Sequence, residues 1–276
     1  KSSWSEVLDY TINEVRQAVA LLPEYDKIQD SQGNVPEYKN VPCKGAANAL
    51  LAHLCAMKAG WKWFARPEDQ NFNEQEYWEE AEKACTSIIG SETAQSAGIY
   101  HLVATPEEVS TVVFKGKSTE SIFEMRYAPY WDEIGKNMDS EYYTTYLDSW
   151  ALTYCYWVLL VEINGSGLDC IKDQKQLIRA STVDKWFPKG DLRRETYFWK
   201  LDSMNHDTLR YVTGGFAYPY LFRDLNVKTT SGNKGRFDHF NYNAVFWRLA
   251  DIYLLRAECR SRLNKRDEAI ADLNAV

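Results

Sequence analysis

What this chain has little of narrows its function before any motif is considered. Among 276 residues there are only 4 His, 4 Met and 8 Pro. The histidines are scattered, with His53, His101, His206 and His239 far apart, so no H-E-x-x-H pair exists to hold a catalytic metal. No acidic loop of the calcium-binding spacing occurs either. The six cysteines, Cys43, Cys55, Cys85, Cys155, Cys170 and Cys259, include no C-x-x-C pair, which excludes a zinc ribbon and a thioredoxin-type redox centre. There is no basic excess. The net charge is -7, with both signs mixed along the chain, so no cationic stripe is available to neutralise phosphates and nucleic acid is excluded as a partner. Long apolar runs are missing as well: the longest, Trp150 to Ile163, is shorter than the roughly 20 residues of a membrane span and is interrupted by Thr153 and Glu162. The turn Asn164-Gly165-Ser166-Gly167 carries a glycosylation sequon but lacks the third glycine of a dinucleotide fingerprint. No cofactor is expected.

Aromatic rings are what the chain has in excess. Ten Trp, 18 Tyr and 11 Phe make 14% of the residues while the mean hydropathy stays negative. A share of that ring surface is therefore expected at the surface, where flat amphipathic side chains bind ligands. The remaining composition, 45% hydrophobic and 26% charged, is that of a globular domain able to bury a large core.

The periodicity is helical at both ends. Trp4, Val7, Leu8, Ile12, Val15, Val19 and Leu22 form one apolar stripe at three- and four-residue spacing, ended by Pro23. An Ala- and Leu-rich run from Lys44 to about Phe64 reads as a helix buried on several sides. A second helix from about Asn73 to Ile89 completes a helical hairpin, its inner stripe running from Tyr77 and Trp78 to Ile88 and Ile89. The stretch from Ala244 to Val276 repeats the design, with Ala257 on its first helix, Asn264 in the turn, and Ala269 and Leu273 on its second, at offsets close to those of a tetratricopeptide repeat. Between the hairpins, residues 121–127 alternate like a short strand, and the sequence beyond is dense in Tyr, Trp, Gly, Asp and Asn. The fold expected is mostly α: tetratricopeptide-like hairpins packed as a scaffold, with a loop-rich, aromatic-rich insert containing short strands. The expected divisions are N-proximal repeat helices over 1–105, a loop-rich ligand face over 106–240 and a C-terminal repeat hairpin over 241–276.

Four segments, in order, resemble the SusD/RagB family. Lys44-Gly45-Ala46-Ala47-Asn48-Ala49-Leu50-Leu51-Ala52, with Trp78-Glu79-Glu80-Ala81 and Gly98-Ile99-Tyr100-His101-Leu102, is similar to that family's repeat helix, partner helix and "Y-x-L" exit. Glu120-Ser121-Ile122-Phe123-Glu124 is similar to its "E-x-I-F-E" strand. Thr182 to Phe187 with Asp191-Leu192-Arg193-Arg194 resembles the segment before its "D-x-R" motif. Arg248-Leu249-Ala250-Asp251-Ile252-Tyr253-Leu254-Leu255-Arg256-Ala257-Glu258 is the nearest match of the four. What the resemblance implies is a lipid-anchored protein of the outer-membrane surface, capping a SusC-like TonB-dependent transporter and delivering oligosaccharide or polysaccharide to it. Lys1 follows no signal segment, and the last helix still runs at Val276. On this resemblance the chain is expected to be a fragment without the N-terminal anchored region and the C-terminal tail, itself soluble.

Glycan binding needs flat apolar faces for the C–H surface of a pyranose and fixed polar groups for its hydroxyls. The candidates are Tyr127, Tyr130, Trp131, Asp132, Asn137, Tyr142 and Tyr143, with Tyr130, Trp131, Tyr142 and Tyr143 favoured as exposed rings. For any one ring, core packing is the competing role, and Trp150, Tyr154 and Trp157 at helical spacing look core-like. Two other functions compete. A helical glycoside hydrolase would use paired carboxylates drawn from Asp132, Glu133 and Glu162, and a repeat scaffold would bind peptide in a concave groove. The ring-dense insert favours glycan over peptide, and the lack of a compact catalytic motif favours binding over hydrolysis. Two further expectations concern packing. Arg248 and Asp251, and likewise Asp191 and Arg193, read as structural ion pairs, and Cys55 and Cys85 stand on facing helices where they could bridge in an oxidising compartment, the other cysteines being isolated.

Overall fold

A computed structural model describes residues 2–91, 94–95, 99–125, 178–198, 201–204, 216–217, 220–221, 225–227, 237–240 and 242–276. Its helices are α1 (Trp4–Leu21), α2 (Lys44–Trp61), α3 (Glu74–Ile89), α4 (Pro106–Thr111), α5 (Ala180–Trp186), α6 (Arg193–Tyr197), α7 (Leu201–Met204), α8 (Leu249–Arg262) and α9 (Arg266–Ala275). The strands are short: β1 (Gly90–Ser91), β2 (Ala94–Gln95), β3 (Ser121–Met125), β4 (Ile178–Arg179), β5 (Phe216–Ala217), β6 (Leu225–Val227), β7 (Phe237–Phe240) and β8 (Ala244–Arg248). They pair two by two, β1 with β2, β3 with β8, β4 with β5 and β6 with β7. The protein is mostly α, as its periodicity requires. Among the described residues, no helix is long and apolar enough to cross a membrane.

The chain divides into two compact units. The first comprises Lys1–Val103, Gly116–Met125 and Val245–Val276; the second comprises Ala104–Lys115 and Arg126–Ala244. In the first, α1 begins with a capping box in which Ser3 Oγ accepts from the Glu6 N–H and the Glu6 carboxylate accepts from the Ser3 N–H. Pro23 then prevents its continuation. Helix α2 carries Ala46, Ala47, Ala49, Ala52, Ala56 and Ala59 buried around its circumference, so that α1 and α3 both pack closely on it. Asn73 caps α3 by accepting from the Gln75 N–H, and Gly90 ends it at φ +91°, a conformation costly for any other residue. Helix α8 packs on α3 and turns into α9 through Asn264, which adopts φ +61°. The shared core holds Ile12, Val15, Cys55, Trp78, Cys85, Ile88, Ile122, Ile252 and Cys259.

Two sequence expectations are corrected here, and one alternative left open is decided. Residues 244–248 are strand β8 rather than the start of a helix, because this Ala-Val-Phe-Trp-Arg run is β-favouring and its partner β3 completes the ladder. Arg248 does not pair with Asp251. As the extended residue preceding α8 it reaches Glu120 at 2.5 Å, while Asp251, one turn into the helix, meets His53 at 3.3 Å. Cys55 and Cys85 do lie on α2 and α3, but both are free thiols: Cys55 donates to Glu80 at 3.6 Å, and Cys85 has Cys259 of α8 as an electrostatic neighbour. Cys43 and Cys259 are free as well. Asp191 and Arg193 do pair, at 2.7 Å.

A buried ionic cluster joins the two helical hairpins. Arg256 reaches Asp272 at 2.6 and 2.9 Å, Arg260 reaches the same carboxylate at 3.0 Å and Glu82 of α3 at 3.2 Å, and Lys265 reaches Glu82 at 2.6 Å. In the second unit, Ala180, Val183, Phe198, Leu201 and Ala217 form a small core of their own. Arg194 organises the surrounding chain by bonding Asp184, Asp202 and the Phe187 carbonyl.

Candidate functional site

The ring-dense segment lies outside the described residues, and with it Tyr127, Tyr130, Trp131, Asp132, Asn137, Tyr142 and Tyr143. The carboxylates of the hydrolase alternative, Asp132, Glu133 and Glu162, lie outside them too. What the structure does describe is the scaffold and three surface features of its first unit.

The first is a ring cluster missed by the sequence reading, which carried the buried helix on to Phe64. Helix α2 in fact stops at Trp61, and Lys62–Phe64 form a single 3-10 turn. The tighter turn rotates the next rings off the buried face. Trp63 and Phe64 are 79% and 80% exposed, and Trp61 is 53% exposed. Trp61 stands 6.3 Å from Trp4 of α1 and 5.8 Å from Phe64, the ring planes inclined at 57° and 64°. The loop beneath is pinned: Lys62 Nζ donates to the Phe72 carbonyl at 2.9 Å and Gln70 Nε2 to the Ala65 carbonyl at 2.7 Å. Ring faces held in this way offer stacking surface for an apolar or pyranose face. The available signal was the density of rings in Trp61-Lys62-Trp63-Phe64 immediately before Pro67.

The second feature is a polar groove of about 530 Å³ lined by α1, α2 and α3. Arg16 grips Glu80 there through two bonds of 2.7 and 2.5 Å. That bond holds the Glu80 carboxyl below the usual carboxylate range, against the opposing effect of burial, so it stays ionised and cannot serve as a general acid near neutral pH. The buried carboxylates Glu82, Glu120 and Asp272 are each engaged by arginine as well. These groups hold the scaffold together.

The third feature is a cavity of about 310 Å³ whose lining includes Tyr25, Val35, Glu37, Lys39 and Lys117. Lys39 is 6% exposed, and its ammonium donates to the Ser118 carbonyl at 2.6 Å. It lies 5.0 Å from the Tyr100 ring centre and 5.7 Å from that of Tyr25. Glu124 is buried nearby, and its Oε1 has no hydrogen-bond partner.

The model of the SusD family matches residues 134–276. SusD-like protein P25 of Formosa agariphila is 31% identical over 113 residues, which is 41% of this chain and 18% of that protein. A SusD homolog from Bacteroides thetaiotaomicron superposes with a TM-score of 0.62 at 16% identity, over 99% of this chain and 50% of that one. Surface glycan-binding protein A from Bacteroides thetaiotaomicron, in complex with laminarihexaose, superposes with a TM-score of 0.54 at 18% identity, over 97% of this chain and 52% of that one. The chain thus spans about half the length of these solved structures, and the likeness to them is one of fold.

Proposed function

This chain belongs to the SusD family, and from that premise we propose that it is part of a cell-surface protein that binds oligosaccharide or polysaccharide without cleaving it. The observation that carries this reading is the family match itself, because it spans residues 134–276 and so includes Asn137, Tyr142 and Tyr143. A protein of the same fold, surface glycan-binding protein A, has a solved structure in complex with laminarihexaose, which supports glycan as the ligand class. We assign ligand contact to Tyr127, Tyr130, Trp131, Asp132, Asn137, Tyr142 and Tyr143, the rings supplying stacking faces and the Asp and Asn supplying hydroxyl partners. The whole protein, in this reading, is one SusD-like domain that is lipid-anchored at the outer membrane and passes its ligand to a SusC-like TonB-dependent transporter. Residues 1–105 and 241–276 serve as its repeat scaffold and 106–240 as its ligand face.

The test is to incubate the purified protein with plant and host polysaccharides, laminarin among them, and to record both retention in a glycan-containing gel and released reducing sugar. Retention without release supports the reading; release of sugar would transfer the protein to the hydrolase class. The Trp61, Trp63 and Phe64 cluster is addressed in the same gel. A Trp63→Ala/Phe64→Ala variant that loses retention would make that cluster a contact surface in its own right.

A further inference from the structure

We propose that Lys39 is a site of reversible imine formation with small aldehydes admitted by the cavity beside it. This inference is independent of the glycan reading and rests on how the amine is held. Lys39 sits in the irregular connection between α1 and α2, and its carbonyl accepts from the Glu124 N–H at 3.0 Å, which fixes its backbone to β3. The side chain is buried, yet it lines a cavity whose walls include exposed residues, Val35 at 45% and the Glu37–Lys117 ion pair, so a small solute can reach it from solvent. An ammonium has three donors, and among the described residues Ser118 O is the one acceptor that takes any of them. Among the described residues, no carboxylate lies within ion-pairing distance of it. A buried amine on the wall of a cavity, bonded to one carbonyl that itself belongs to a lining residue, meets the requirement for a nucleophilic lysine.

Burial and the charged groups facing Lys39 act on its amine in opposite directions, and burial prevails. Burial pushes the amine down to about 8, partly opposed by Glu124 from β3 and Cys43 from the start of α2. Burial also pushes the Tyr25 phenol up to about 12 and the Tyr100 phenol well up, so both rings remain neutral and neither supplies a phenolate that would hold the ammonium charged. Asp26, Glu37 and Lys117 complete the lining.

The step balances without a further reagent. The neutral amine lone pair forms the C–N bond with the carbonyl carbon as the carbonyl π pair moves to oxygen. A proton then passes from nitrogen to that oxygen, giving a carbinolamine, and loss of water gives the imine. Water reverses each stage.

The probe is glycolaldehyde with sodium cyanoborohydride, which reduces the imine to a stable secondary amine, followed by peptide mapping in a mass spectrometer. With the Lys39 amine at about 8 against about 10.4 for an ordinary lysine, the neutral fraction at pH 7.5 is roughly 200-fold larger. The lower nucleophilicity of a less basic group trims this, leaving an initial rate roughly tenfold above that of exposed Lys83 and Lys189. The rate at Lys39 should level off above about pH 8, while that of free Nα-acetyl-lysine in the same reaction keeps rising. Replacing Val35, a partly exposed wall residue, by Trp should fill the cavity and bring labelling of Lys39 down to or below that of Lys189, whose own rate stays unchanged. Labelling that follows exposure, with Lys39 no faster than Lys83 and Lys189, overturns the proposal. So does a Val35→Trp variant that labels Lys39 as fast as the unaltered protein.

Discussion

Gly45 and Gly60 lie on the same helix, α2, yet should respond to alanine in opposite directions. Helix propensity alone favours Ala over Gly by about 1 kcal/mol at both positions. At Gly60 a Cβ would meet the Trp78 ring at 3.9 Å, an ordinary van der Waals contact, so Gly60→Ala should stabilise by up to about 1 kcal/mol. At Gly45 the same Cβ would fall 2.2 Å from the Tyr100 hydroxyl oxygen, 2.8 Å from Cζ and 3.0 Å from Cε2. Tyr100 cannot yield easily, since it is buried against the core and its hydroxyl contacts Cys43 Sγ at 3.7 Å. Overpacking of this kind costs about 1–3 kcal/mol. Net of propensity, Gly45→Ala should destabilise by up to about 2 kcal/mol. The assay is chemical denaturation of both single variants beside the unaltered protein, with Tyr100→Phe introduced into the Gly45→Ala background. Removing the oxygen takes away the 2.2 Å overlap but leaves the 2.8 Å one, so part of the loss should return. A Gly45→Ala protein as stable as Gly60→Ala, or one indifferent to Tyr100→Phe, would refute the close approach of α2 to the Tyr100 exit.

Asp272→Ala leaves the Arg256 and Arg260 guanidiniums buried without their shared carboxylate, and urea denaturation should show a loss of about 3–5 kcal/mol. For His53, burial lowers the pKa, but Asp251 and the Ala49 carbonyl outweigh it and the net shift is upward. A raised pKa places the stability gain below the unfolded-state value near ~6.5, to be lost as pH rises through the folded-state value. NMR titration of His53 should show this shift, and Asp251→Asn should reduce both the shift and the extra acid-side stability. Burial raises the Cys55 and Cys85 thiols and pushes Cys259 up to about 12, so mapped alkylation under native conditions should leave all three unmodified, and denaturant should release them. Rapid native alkylation at any of these would contradict the packing of α2, α3 and α8.

The scaffold was legible in the sequence because its helices obey local rules. Apolar spacing located α1 and α3 nearly to the residue, Pro23 and Asn73 marked an end and a start, and Asn264 marked the turn between α8 and α9. The misreadings arose where a neighbour decides. Trp61 to Phe64 continue the apolar density of α2, and nothing local signals a change from α to 3-10 geometry that turns the rings outward. Arg248 and Asp251 have helical spacing, but Arg248 belongs to the end of a strand whose partner lies more than a hundred residues earlier. The placement of Cys55 on α2 and of Cys85 on α3 was readable from helical spacing. Their lack of a bond was not, because the side-chain directions depend on Glu80 and on α8. The Lys39 cavity had no signal at all, since its lining is gathered from residues 25–39 and 99–119.

In the proposed reading, aromatic rings in the segment after β3 bind glycan and the helical scaffold holds them. Measuring retention by the bound polysaccharide, alongside thermal unfolding, for a Tyr130→Ala/Trp131→Ala variant tests it most directly. Solvent-facing changes usually stay within about 0.5 kcal/mol. Retention should therefore be abolished while the melting temperature scarcely moves. Undiminished retention, or a variant that no longer folds, would contradict it.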